Sequence, residues 1–357
     1  MKRLFNLTCM LLVLPLMMAA NNGIGKYKYE KTKTIKKEFS VNADALLEIK
    51  NKYGNVDVVS WDENRIVIVV TITTSGNDED KVTDKLDDIT VNFDASSNHV
   101  SAETRIESSG FSWFSWGRSN VNYKIDYTVK MPVTNSANLI NDYGSISLNE
   151  LKGDAKINCD YGKITIGNLY SSNNSINIDY TNNSTVNYMK RGSINADYSG
   201  FTVESAGTVD LNADYTKSVF EQINTLNYNC DYGSLTVESG DEIIGSGDYL
   251  SMKLGTIKKT VKISADYGSV KIARLSDGFN TVSINSNYTG VRVGTPTAAP
   301  FDFEIQLSYS SFKYDSNLEF QKQIEKSSSK YYEGYFKSQH SGSTIKITSD
   351  YGGVTFN

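Results

Sequence analysis

Residues 141–288 repeat one short phrase: NDYGSISL (141–148), NCDYGKITI (158–166), NIDYTNNSTV (177–186), NADYSGFTV (195–203), NADYTKSVF (212–220), NCDYGSLTV (229–237), SGDYLSMKL (246–254), SADYGSVKI (264–272) and NSNYTGVRV (285–293). Its tyrosines recur every 17 to 21 residues, from Tyr143 to Tyr288. A fixed period of this length is the signature of a solenoid. It leaves too little room for two helices and a turn. The alternation inside each copy also has period two rather than 3.6. Ile157, Cys159 and Tyr161 share one parity, as do Ile194, Ala196 and Tyr198. Each copy therefore reads as one coil of two or three short strands, and stacked coils make a parallel β-helix.

This parity places the apolar residues and the tyrosines in the bore, with Asn, Thr, Ser and Lys toward solvent. It also predicts one internal column through Ile157, Ile178, Ile194, Leu211, Leu226, Val261 and Ile284. Coils about 4.8 Å apart suit a ladder of stacked tyrosine rings. The small residue two before most tyrosines (Cys159, Ala196, Ala213, Cys230, Gly247, Ala265, Ser286) marks a tight corner. No proline lies between Pro132 and Pro296, as central strands require.

Outward from the repeat, the chain begins with Lys2-Arg3, an apolar run from Leu4 to Ala20 and a cleavage candidate at Ala19-Ala20. This is the pattern of a secretory signal peptide over residues 1–20. The apolar run is too short for a membrane anchor, and no later stretch suits a span. The expectation is an exported protein, periplasmic, cell-surface or secreted. The formal net charge is −5, and losing Lys2 and Arg3 with the leader takes it to −7. That balance argues against nucleic acid as a partner. Cys159 and Cys230 occupy equivalent inward positions four coils apart. The separation of about 19 Å exceeds disulfide reach, so they are expected to stay free thiols.

Residues 21–38 are polar and lysine-rich and read as a flexible lead-in. Residues 39–132 read as an N-terminal β module. It holds a first coil at 46–58, a long strand at 64–72, a short helix within 77–89 behind an Asn/Asp cap, and a hairpin of 100–106 with 121–131. Residues 133–357 form the repeat region, with 318–340 as a polar, tyrosine-rich excursion and 345–356 as the closing copy.

IKNKYGNVDVVSW (49–61), NRIVIVVTI (64–72), the leader and the recurring DYG copies resemble a family of bacterial exported β-strand-repeat proteins called "putative adhesins", a domain of unknown function. The resemblance covers nearly all of the chain after the leader. It implies a single-stranded right-handed parallel β-helix and an envelope location, and supplies no catalytic residues.

Three features bear on chemistry. Asp142, Asp160, Asp179, Asp197, Asp214, Asp231, Asp248 and Asp266 should form an outward column whose neighbours repel by about 1 kcal/mol per pair in water. Either each accepts a backbone N–H at its own turn, or the column binds calcium. The glycine-rich nonapeptide of calcium-binding β-rolls is missing, and Lys163, Lys217 and Lys271 lie near the column, which favours the turn reading. Second, the loop around Phe111, Trp113, Phe114 and Trp116, with Arg118 beside it, is either a cap or a tip that binds a glycan or an envelope protein. Third, the acids are distributed by the repeat, and His99 and His340 have no neighbouring nucleophile pattern. No cofactor or metal motif occurs. The reading is a non-catalytic envelope scaffold that binds a ligand. The alternatives are a polysaccharide-active lyase or hydrolase, or a purely structural envelope protein.

Overall fold

A computed structural model describes residues 27–107, 121–315 and 317–357. The expected signal peptide (1–20), and the loop with Phe111, Trp113, Phe114, Trp116 and Arg118, lie outside the described residues. The chain is an all-β protein built as a parallel β-helix, with one helix among the described residues. It divides into two compact units, Met1–Ser171 and Ser172–Asn357.

In the first unit, Leu46–Lys52 lies between two parallel neighbours. Leu47 is opposite Val100 of His99–Ile106 on one side and Ala137 of Ser136–Asp142 on the other. Val56–Trp61 is likewise flanked by Asn122–Pro132 and Ser145–Leu151. The first coil is thus interior to its stack, and the coil at 136–151 builds directly on it. This shared ladder places the N-terminal module and the coils as far as Ser171 in one unit.

The expected hairpin of 100–106 with 121–131 is corrected: His99–Ile106 pairs antiparallel with Ile89–Ala95 and Asn122–Pro132 with Arg65–Gly76, because the two strands stack on different strands of the first coil. The outer edge is closed by antiparallel strands. Arg65–Gly76 pairs with Asn122–Pro132 and with Tyr29–Ser40. The expected flexible lead-in is therefore corrected over residues 29–38, which form a strand. Its lysines suit that position, because lysine on an edge strand discourages further pairing. The helix, Glu79–Asp87, starts where the Asp78 carboxylate accepts the Lys81 N–H at 3.3 Å. It turns Val82 inward, and the Val82 carbonyl accepts the buried Thr74 hydroxyl at 2.9 Å.

In the second unit, Gly200–Asp214, Lys217–Asp231, Gly233–Asp248 and Leu250–Asp266 stack in parallel. The pairing runs Ile176, Ile194, Leu211, Tyr228, Gly245, Ile263, Ile284 along one internal column. A second column holds Val209, Leu226, Ile243, Val261 and Val282. The single column expected from sequence is corrected here: Leu226 and Val261 belong two residues away from Ile194, Leu211 and Ile284, and Ile178 pairs with Ala196, its place in the column being taken by Ile176. Both columns are apolar and equal in parity, so alternation by itself cannot tell them apart. Tyr228, a ring in the interior, is matched by Gly245 on the next coil, where a Cβ would come within 2.6 Å of that ring.

Coil order departs from chain order at the C-terminus. Thr281–Asn287 pairs with Thr344–Asp350, which pairs in turn with Phe301–Ser308. The closing copy is thus inserted between the coils at 281–293 and 301–313. Phe301–Ser308 is the outer coil and is covered by antiparallel Ser329–Phe336, itself paired with Glu319–Glu325. The polar excursion is this hairpin. It brings Phe320 and Tyr332 against Phe312, Phe303 and each other.

Candidate functional site

The tyrosine of every coil sits in the left-handed region: Tyr53, Tyr143 and Tyr161 in the first unit, and nine from Tyr180 to Tyr351 in the second, with φ between 49° and 63°. Such a conformation costs a bulky residue about 1–3 kcal/mol. It reverses the inside–outside alternation. Tyr161 therefore points out although Ile157 and Cys159 point in. The expected ladder forms, but on the surface, and its placement in the bore is corrected. Tyr143 through Tyr288 and Tyr351 are 47–52% exposed.

Their rings stack in each unit: Tyr53 on Tyr143 at 5.2 Å and Tyr143 on Tyr161 at 5.0 Å, then Tyr180 through Tyr288 at 4.8–5.1 Å. Tyr351 and Tyr309 continue the second ladder at 4.8 and 5.0 Å. Each stacked pair contributes about 0.5–1.5 kcal/mol. Within each unit the tyrosine N–H groups also donate to the adjacent coil, as Tyr143 does to the Asp160 carbonyl and Tyr232 to that of Asp248, both at 2.9 Å, while Tyr309 on the outer coil donates to the Ser328 carbonyl. Ring faces are consumed within the ladder, so edges and phenol hydroxyls meet solvent.

The corner carbonyls are satisfied in two ways. Where glycine follows the tyrosine in the first unit, the residue two before it donates: Asn141 Nδ2 to the Gly54 carbonyl at 2.8 Å, and Cys159 Sγ to the Gly144 carbonyl at 3.3 Å. In the second unit a hydroxyl after the tyrosine takes this role. Thr216 Oγ1 donates to the Ala196 carbonyl at 2.9 Å, and Thr289 Oγ1 to that of Ala265 at 3.2 Å.

Within each unit the aspartates line up on successive coils, and in the second unit their hydrogen bonds run between coils rather than within a turn. Asp197, Asp214 and Asp231 each accept the N–H of the next aspartate, at 3.3, 3.1 and 2.8 Å. For these three the own-turn reading is corrected, since stacking brings the next coil's N–H within reach. Partial burial and the neighbouring carboxylates hold Asp179 and Asp248 above the usual carboxylate range. Among the described residues, no three His, Cys, Asp or Glu side chains converge as a metal site would. Cys159 and Cys230 are free and buried, and burial pushes both thiols up to about 12.

A second surface row lies four residues past the tyrosines of the second unit. Lys253 pairs in register with Lys271, Lys271 with Arg292, Arg292 with Thr355 and Thr355 with Lys313. All four cations are exposed, and none has an ion-pair partner among the described residues. Adjacent members repel by about 1 kcal/mol in water at the coil spacing. Beside them run Ser251, Ser269, Gly290, Gly353 and Ser311, the low floor of a trough of about 470 Å³. From sequence, Lys271 stands out only as a neighbour of the aspartates. Counting each copy from its tyrosine to the fourth residue would have found the whole row. His99 and His340 fall in different units, near Glu48 at 3.8 Å and in a left-handed turn respectively.

These features define an all-β solenoid whose outer faces display rows of like side chains. No family model and no curated protein match the chain. Solved structures do. A "putative cell adhesion protein" from Clostridium sporogenes is 11% identical, covering 91% of this chain and 99% of its own, with a TM-score of 0.19. A "putative adhesin" from Parabacteroides distasonis is 10% identical over 91% and 97%, with a TM-score of 0.32. A "putative lipid binding protein" from the same species is 9% identical over 91% and 96%, with a TM-score of 0.27.

Proposed function

We propose that this chain is a non-catalytic scaffold of the bacterial envelope, an adhesin-type protein that holds a glycan or an envelope protein on its outer sheet faces. The observation that carries this reading is the repetition of side-chain type along the coils. Rows of tyrosines, aspartates and cations recur at the coil spacing, which suits an extended ligand contacted at many points. A catalytic centre needs unlike groups converging on one bond within hydrogen-bond reach. The leader at residues 1–20 supports export.

A glycan array and a panel of envelope proteins, probed with the purified protein, test the proposal. Retention of at least one class, with the polymer recovered unshortened, is the expected result. Shortened chains or unsaturated sugar products would overturn it in favour of a polysaccharide-active enzyme. Failure to retain any glycan or protein would leave a purely structural role.

A further inference from the structure

We infer that the trough between Lys253 and Lys313 binds a linear acidic polysaccharide, one bearing a carboxylate on most of its sugars, laid across the coils. The inference deepens the binding reading above and rests on it.

Three independent observations point the same way. The first is charge. Lys253, Lys271, Arg292 and Lys313 line one edge over five successive coils, with Thr355 the single neutral step. Like charges held at the coil spacing call for a counter-charge, and the protein supplies none among the described residues. The aspartate column meets the same difficulty by accepting backbone N–H groups. Cations can only donate, so an external acceptor is their remaining partner.

The second is the floor. Gly290 is exposed, with open space around it: a Cβ there would meet nothing within 4 Å. At Gly353 a Cβ would meet nothing nearer than Ser311 Oγ at 3.9 Å. Neither glycine has a positive φ. Gly290 opens a strand and Gly353 immediately precedes one, and with no side chain packed against either, both leave room for close approach by a ligand. By contrast, a Cβ at Gly245 would collide with Tyr228.

The third is the kind of hydrogen bonding on offer. The strand N–H groups are used in the coil ladder, so an acidic peptide cannot add itself as a strand. Exposed hydroxyls lie beside the cations: Ser311, and Ser251 and Ser269, which share one hydrogen bond at 3.5 Å and keep further donor and acceptor capacity. Hydroxyls next to cations fit a polymer of hydroxyls and carboxylates, whose pyranose repeat is close to one coil spacing.

The test is binding of polygalacturonate to the purified protein by titration calorimetry, with dextran and a single-stranded DNA oligonucleotide as comparison polymers. Polygalacturonate should bind and weaken with added salt, while dextran should not bind. The triple variant Lys253→Gln, Lys271→Gln, Arg292→Gln should bind roughly tenfold more weakly or worse. Lys258→Gln with Lys259→Gln, whose parents pair with Asp241 at 3.4 and 2.9 Å, should bind within about twofold of wild type. Gly290→Val, which fills the trough without touching a charge, should also weaken binding while keeping the thermal midpoint.

Undiminished polygalacturonate affinity in both the triple and the Gly290→Val variants would overturn the trough. So would binding of neutral glycans or proteins alone, although the scaffold reading would survive either result. Equal affinity for the oligonucleotide would overturn the polysaccharide assignment. Absence of any retained glycan or envelope protein would overturn both readings.

Discussion

A tyrosine at φ near 50° opposes a backbone cost with ring stacking on both sides. At Tyr232 the rings of Tyr215 and Tyr249 lie at 4.9 and 4.8 Å. Tyr232→Ala removes both contacts and keeps the left-handed strain, so it should lose about 1–3 kcal/mol. Tyr232→Gly removes the same contacts but also the strain, and should be the more stable of the two. In an ordinary strand the order is opposite, with glycine below alanine. Urea midpoints of the pair decide it, and an alanine variant above the glycine variant would refute the strain argument. The aspartates make a second residue-scale case. Asp248 is held high by partial burial and by Asp231 and Asp266. A carboxyl raised on folding penalises the folded state when ionised, and the penalty fades as pH falls through its folded value. Asp248→Asn should therefore raise the thermal midpoint at pH 7, with the gain disappearing in acid. Asn287 already stands at the equivalent place one coil beyond Asp266. Equal midpoints for variant and wild type at pH 7 would refute the penalty.

Among strands, large and small residues are matched across coils. Tyr228 is buried, and its hydroxyl lies 3.9 Å from Met252 Sδ. The next coil answers with Gly245, where a Cβ would come within 2.0 Å of the Tyr228 carbonyl oxygen and 2.6 Å of the ring. Gly245→Ala should thus cost about 1–3 kcal/mol through overpacking, despite alanine's better strand character. A denaturation midpoint equal to or above wild type would show that Gly245 is not a packing requirement. Alternation makes both Tyr228 and Gly245 legible as inward positions. That they face each other is a matter of register, fixed only when neighbouring coils pair.

For the second unit as a whole, chain order and stacking order differ. Residues 344–357 lie between the coils at 281–293 and 301–313 and bury Ile345, Ile347, Val354 and Phe356. Deleting them should do more than remove a last coil. It should expose Val282 and Ile284 on one side and Phe303 and Ile305 on the other, with a loss of about 6 kcal/mol or more. Limited proteolysis would then cut within 301–336 well before the coils at 200–266. If the truncated chain protects 301–336 as wild type does, the inserted position of the closing copy is wrong.

The sequence by itself determined the strand content, the coil period, the parallel solenoid and the burial of Cys159 and Cys230. Each of these follows from local alternation and a repeated corner, which need no knowledge of distant partners. Three things were decided only by tertiary structure. The sign of φ at the corner turned the tyrosines outward, because ring stacking and the N–H bond between coils select a conformation that parity cannot show. Register chose which of two equally apolar columns faces which. Edge pairing chose the coil order, since Thr281–Asn287 and Phe301–Ser308 both present a free strand edge that Thr344–Asp350 can join at once. The basic row depends on all three. Its residues are spread from 253 to 313, and only the stacking of successive coils sets them side by side.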